Sequence, residues 1–349
     1  MQVDATGNGF DASAVSMSGD GNRVAVGDYS WNGNEGRMLA FGWKESEQQW
    51  VGMGSVGNGL VEDGNGAGSE VSLSSDGSRV AYGASRPNDG GEVKVLEWSG
   101  AAWVNLGPSM YAETSSPVVR ISGDGNRIAV GTPTSQSFAG KVKVYEYGGA
   151  SWSQVGSEIV GAEDFCGIGV DLNYNGSVLA VGCTGHNSYA GKVRIFEWNQ
   201  VEWTESLPIE GSAQNDYSGR YVSLSSDGDR VLISSPTNTY TDTSGKASVF
   251  QSSGGSWVQV GDVIPVSNGG VDLSGDGKRV AVANKFHNSN AGKVSVYTLS
   301  DSNTWQLFAG SVEGEEGQVL HGTSVSLSYS GLRLGVAPGT GAAEVWTVE

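Results

Sequence analysis

The chain has 349 residues and a formal net charge of −18, which excludes a surface built to neutralise nucleic-acid phosphates or to bind anionic lipid. Its 55 glycines against 8 prolines, with 11 Trp, 12 Tyr and 8 Phe, exclude a disordered chain and favour many short strands joined by tight turns. No run approaches the roughly 18 apolar residues of a membrane helix, and Met1 to Phe10 has neither the basic start nor the apolar core of a signal peptide.

In chain order, Gln2 to Gly7 resembles the later stretch Val258 to Gly261 and is expected to be an outer strand. The block Ser18 to Gly27, with Asp20 and Gly21 at its turn and Arg23 just beyond, then opens a series that returns at Ser74, Ser122, Asn173, Ser225, Ser274 and Ser328. A period of about fifty residues suits propeller blades. In the second unit the expected strands are Val71 to Ser74, Arg79 to Gly83, Glu92 to Trp98 and Trp103 to Gly107, with Asp76-Gly77 supplying the positive φ of a two-residue hairpin turn. The fourth strand begins with Trp50, Trp103, Trp152, Trp203, Trp257 or Trp305, and recurrence at one place marks these rings as packing groups rather than sugar platforms.

The last unit reaches Glu349 after a third strand, Glu344 to Val348, with no Trp-bearing fourth, so the first residues should pair with it and remove two open sheet edges. The expected fold is all-β: one seven-bladed β-propeller of four-stranded antiparallel blades over 1-349, closed by the N-terminal strand. Residues 1-7 form the outer strand of blade 7, 8-56 blade 1, 57-108 blade 2, 109-160 blade 3, 161-209 blade 4, 210-264 blade 5, 265-312 blade 6 and 313-349 blade 7.

Side-chain columns suggest contacts between repeats. Arg23, Arg79, Arg127, Arg230 and Arg279 accompany Asp20, Asp76, Asp124, Asp227 and Asp276, and both partners are lost together at Val178 and Asn175, so each pair is expected to meet across the turn or between blades. Arg120 and Asp171 occupy one first-strand position in neighbouring blades and are expected to form an ion pair, the alternative being that Arg120 lines the channel and reads an anion. Cys166 and Cys183 fall at one end of a hairpin in which residue 168 should face residue 183, which makes them a disulfide candidate that would argue for an oxidising compartment.

These repeats resemble the FG-GAP repeats of integrin alpha chains and of many secreted or surface proteins of microalgae and bacteria. The likeness lies in the Asp-Gly turn, the Val24 to Gly27 strand, the loop Gly131 to Pro133 and the strand Gly140 to Tyr145, and it covers nearly the whole chain. The units are also similar to those of WD40-like bacterial propellers. The resemblance implies Ca²⁺ in some turns of the family. The nearest matches here are Asp171, Asn173 and Asn175, and Asp272 with Asp276, but both copies carry an apolar residue, Leu179 or Val280, where the pattern needs a carboxylate. No cofactor is therefore expected. The resemblance also implies an extracellular or cell-surface setting.

Function is expected on the face that carries the loops between second and third strands, because these vary while the opposite turns are uniform. Candidate ligand-binding residues there are Tyr29, Trp31, Arg86, Asp89, His186, Tyr189, Asp216, Tyr217, Tyr240, Phe286, His287 and His321. Two readings follow. The first is a non-catalytic binding, adhesion or scaffold module, monomeric, with a carbohydrate or protein partner. The second is a hydrolase or lyase acting on polysaccharide through carboxylates such as Asp216 or Asp164, with Tyr217 or a histidine. Sialidase-type Asp boxes need a Trp three residues past their Gly, and none of these turns has one.

Overall fold

The structure is a computed structural model and describes residues 2–3, 11–54, 66–86, 90–114, 116–162, 164–236, 245–308, 310–314, 320–339 and 341–348. Seven antiparallel sheets follow one another along the chain, each starting at the central channel and stepping outward strand by strand. In the third, Val118–Ile121, Arg127–Thr132, Lys141–Tyr147 and Trp152–Gln154 pair in order, and Ile159–Val160 returns to the same third strand. The chain is a seven-bladed β-propeller.

The turns between first and second strands form for a local reason. At Ser122, the hydroxyl donates to Asp124 Oδ1 at 2.6 Å, the N–H of Asn126 donates to the same oxygen at 3.0 Å, and Gly125 supplies a φ of 73°. Apolar residues of alternating strands then face the neighbouring blade. Val93 and Val95 of the second blade, for example, bury against Val119, Ile121 and Ile128 of the third, and each such Val contributes on the order of 1.5 to 3 kcal/mol. The core is thus a set of layers between blades.

Three series of hydrogen bonds fasten neighbouring blades together. Beside the channel, the middle residue of a first strand accepts an N–H from the next blade: Leu73 to Ser16, Ile121 to Ser72, Leu224 to Asp171, Leu273 to Ser223, Leu327 to Asp272 and Met17 to Ser326. On the turn face, Arg23, Arg79, Arg127, Arg230 and Arg333 donate to the carbonyls of Gly77, Gly125, Gly176, Gly277 and Gly21. At the rim, the indole N–H groups of Trp103, Trp152, Trp203 and Trp305 donate back to the carbonyls of Met53, Leu106, Val155 and Val260 in the preceding blade.

Several details depart from expectation. The turn Asp and Arg do not pair with each other: the carboxylate closes its own turn, and the guanidinium reaches the next blade's glycine carbonyl. Arg120 does not pair with Asp171 either. It turns back to Glu70 of the second blade, Nη1 to Oε2 at 2.8 Å, while Asp171 is held by Leu224 of the fifth.

The Gln2–Val3 strand pairs antiparallel with Ala343–Thr347, but its register places Val3 opposite Ala343. That is the place Ile159 takes opposite Val142 in the third blade, so the N-terminal strand fills the slot of Ile159–Val160 and not that of the Trp-bearing strand. Cys166 and Cys183 are disulfide-bonded and lie directly opposite each other, because an irregularity between Cys166 and Gly169 shifts the hairpin register. Gly167, at φ 91°, provides the kink.

Candidate functional site

The loops between second and third strands share an unusual backbone. In the first, third, fourth and sixth blades a left-handed helical turn carries the chain over the loop face, as at Asn187 (φ 47°, ψ 62°) and Ser188 (φ 56°, ψ 44°). The next residue is also left-handed: Asn34, Phe138, Tyr189 or Asn290. Asn tolerates this conformation because its short side chain can bond locally, whereas a bulky aromatic resists it. Phe138 and Tyr189 are therefore not there to make the turn.

A second left-handed position meets the first across the blade boundary. Phe165, at φ 54°, donates its N–H to the Phe138 carbonyl, and Tyr217, at φ 53°, donates to the Tyr189 carbonyl, each at 2.9 Å. In the second blade the corresponding position, just before Ala67, is Gly66 at φ 70°, the residue the backbone would favour. The main-chain bonds bring the rings together. Centroids are 5.3 Å apart for Phe138 and Phe165, 6.5 Å for Phe165 and Tyr189, and 5.2 Å for Tyr189 and Tyr217. The result is a continuous stripe of four aromatic side chains across three blades, with Phe138 and Tyr189 53% and 43% exposed.

Polar groups flank the stripe. Buried Asp164 accepts from Lys192 Nζ at 3.3 Å and lies 3.3 Å from His186 Nδ1, which Lys192 Nζ also approaches at 3.2 Å, and His186 Nε2 lies 3.3 Å from Glu210. Asp216 accepts from Lys246 Nζ at 2.8 Å and from the Ser212 hydroxyl at 2.7 Å. Burial works to raise the Asp216 pKa, but these bonds and the Lys246 charge outweigh it and hold the carboxyl below its ordinary range.

Inside the ring lies a channel cavity of about 550 Å³ lined by Glu70, Arg120, Asp171, Asp272, Tyr221 and the serines of the first strands. Desolvation raises the Asp171 pKa to about 7 against the bond from Leu224 and the Arg120 charge, and raises that of Asp272 to about 6 against the bond from Leu327. Arg120 keeps 31% of its side-chain surface, which opens onto the channel.

The ring brings together only part of the expected set. Tyr189, Tyr217, His186 and Asp216 belong to the stripe or its flank. Tyr29 and Trp31 lie in the first blade on another sector, where Arg37 covers the Trp31 ring. Phe286 precedes the sixth-blade turn, and His287 Nε2 stands 3.9 Å from Glu313. Arg86 and His321 are described in backbone alone, within Arg79–Arg86 and Leu320–Leu327, and Asp89 and Tyr240 lie outside the described residues. The Ca²⁺ candidates divide: Asp171 and Asp272 bond to the neighbouring blade at the channel, while Asn173, Asn175 and Asp276 close their turns. Among the described residues no three His, Cys, Asp or Glu side chains gather as a metal would need. Phe138 and Phe165 were absent from the expected set, although the residue just before the repeated Ala-Gly-Lys, at Phe138, Tyr189 and Asn290, is a readable signal.

No family model matches the sequence, and no curated protein matches it. Among solved structures, the chain is similar to a putative 6-phosphogluconolactonase from Bacteroides uniformis, with a TM-score of 0.65 and 13% identity over 94% of this chain and 97% of that one. It is also similar to hydrazine synthase of Kuenenia stuttgartiensis, with a TM-score of 0.63 and 14% identity over 100% and 99% of the two chains. At such identities the likeness establishes the fold alone, and on that ground the chain is a propeller whose activity must be argued from its own residues.

Proposed function

We propose that this propeller is a non-catalytic module that binds a carbohydrate along the stripe Phe138, Phe165, Tyr189 and Tyr217. One observation carries the reading: four aromatic rings stand at left-handed backbone positions that the same chain elsewhere fills with Asn or Gly. Backbone strain of about 1 to 3 kcal/mol per residue persists where the side chain has a use, and exposed flat rings in file suit the apolar faces of successive sugar units. The polysaccharide-cleaving alternative is weaker because Asp216 is tied to Lys246 and Asp164 is shared between Lys192 and His186, so both carboxylates are already engaged by neighbouring side chains.

Membership of the FG-GAP group and an extracellular or surface setting belong to the same proposal, supported by the repeat pattern and by the Cys166–Cys183 bond. Calorimetric titration with neutral oligosaccharides tests it. Saturable binding that is lost in Phe138→Asn and Tyr189→Asn, with no reducing ends released, supports a module; release of reducing ends, or affinity unchanged in both variants, refutes it.

A further inference from the structure

On the turn face, one blade departs from the rest. Five of the turns between first and second strands carry a serine and, two residues on, an aspartate, and in each the serine hydroxyl donates to that carboxylate at 2.5 to 2.6 Å, from Ser18, Ser74, Ser122, Ser225 and Ser274. The fourth blade is wired differently. Asn173 stands in place of the serine and Asn175 in place of the aspartate, while a hydroxyl lies on the other side, at Ser177, whose Oγ donates to Asn175 Oδ1 at 2.6 Å and whose N–H donates to the same oxygen at 3.0 Å. Asn173 keeps the turn closed by accepting the Val178 N–H at 2.9 Å.

This turn therefore presents an amide whose oxygen is held and whose nitrogen is not. Asn175 is exposed, and among the described residues its Nδ2 makes no hydrogen bond. The neighbouring blade reaches the main chain instead, through Arg127 Nη1, which donates to the Gly176 carbonyl at 3.0 Å, so a group attached at Nδ2 displaces none of these bonds. Asn175-Gly176-Ser177 is also the only Asn-x-Ser or Asn-x-Thr triplet in the chain, the pattern that accepts an N-linked glycan on an exposed turn. A second, independent observation lies in the same hairpin: Cys166 and Cys183 are joined as a disulfide. Such bonds belong to the oxidising, secretory setting in which these triplets are glycosylated.

We infer that Asn175 is an N-glycan acceptor, modified by an oligosaccharide carried on a lipid diphosphate. In the transfer, Nδ2 forms a bond to the anomeric carbon of the first sugar, the bond from that carbon to the diphosphate oxygen breaks, the lipid diphosphate leaves, and the amide proton passes to a base of the transferase. An aspartate, as in the five sister turns, would close the turn equally well and could not accept the sugar. The glycan projects from the turn face, opposite the loop face, and leaves the aromatic stripe open. The inference rests on the extracellular setting proposed above and is independent of the carbohydrate reading of the stripe.

The intact chain, expressed behind a secretion leader in a eukaryotic cell, is weighed by mass spectrometry before and after treatment with peptide-N-glycosidase. A heavier form is expected, which the enzyme returns to the mass of the bare chain and which carries heavy oxygen at position 175 when the digestion is run in heavy-oxygen water. That form should be lost in Asn175→Asp and Ser177→Ala and kept in Ser177→Thr. Asn175→Asp installs the residue that five other turns already hold, so it is expected to be secreted as well as the parent, which separates loss of the glycan from failure to fold. Because the leader supplies the compartment, a secreted chain with the Cys166–Cys183 bond formed and position 175 bare overturns the acceptor site and leaves the proposed setting in place. Conversion of Asn175 without heavy oxygen, the mark of spontaneous loss of ammonia beside Gly176, overturns it equally. In protein recovered from the cells that make it, a glycan at Asn175 sustains both, whereas free thiols at Cys166 and Cys183 with Asn175 bare overturn the setting and the site together.

Discussion

The carboxylate of Asp171 in the fourth blade accepts the backbone N–H of Leu224 in the fifth at 2.7 Å, where most blades use a serine hydroxyl for the same bond. Arg120 is the one member of that ring that cannot accept. Asp171 thus puts a carboxylate in the place of the serine acceptor, beside an Arg120 that has turned back to Glu70.

That arrangement makes stability depend on pH. Asp171 and Asp272 have folded pKa values raised to about 7 and about 6 from 3.8, so folding favours their protonated forms. Their contribution is fully present below about pH 4 and is lost as pH rises through 6 to 7. Asp171→Asn and Asp272→Asn keep an acceptor oxygen for Leu224 and Leu327 without the charge. Each variant is expected to match the parent near pH 4 and to exceed it near pH 8 by on the order of 1 kcal/mol, after discounting for channel water. Thermal melts at both pH values check this, and an equal offset at the two would contradict it.

The rim staples allow a contrast within one chain. Trp152 donates its indole N–H to the Leu106 carbonyl at 2.7 Å, whereas Trp50 faces the seventh blade, whose outer slot holds Gln2–Val3, and its indole has no partner among the described residues. Trp152→Phe is expected to cost about 1 to 3 kcal/mol more than Trp50→Phe by urea unfolding, because among the described residues only the first leaves a buried carbonyl unpaired. Similar costs at both sites would show that the indole bond contributes little.

Phe138→Asn and Tyr189→Asn separate binding from folding. Asn already occupies the same left-handed position at Asn34 and Asn290, so neither change should lower the melting temperature, and a gain of up to about 1 kcal/mol is expected from relieved strain. A loss of more than that amount would mean that the rings serve packing instead of a ligand.

Reducing the Cys166–Cys183 bond, or replacing both residues by serine, is expected to lower stability by about 3 kcal/mol, the loop-closure value for a sequence separation of 17. Melts with and without reductant measure it. Insensitivity to reductant would also remove the support that the bond lends to an oxidising compartment.

Much of this architecture was legible in the residues themselves. The period, the Asp-Gly turns, the alternating apolar columns and the Trp series are local, repeated seven or nearly seven times, and each follows from turn chemistry or strand alternation within one unit. Pairing of the N-terminal residues with the last blade was legible too, although its register was not: Val3 and Ile159 share a place that only the ladder reveals.

What the residues alone determined is therefore the unit and its repetition. What only the tertiary structure decided is how units meet. Arg120 chose Glu70 over Asp171, the turn arginines chose glycine carbonyls over their own aspartates, and Phe138 came to lie on Phe165. Each of these depends on distances between blades, which curvature of the ring sets and strand alternation cannot express, and the aromatic stripe exists only because backbone bonds across a blade boundary line up residues 27 or 28 apart in sequence.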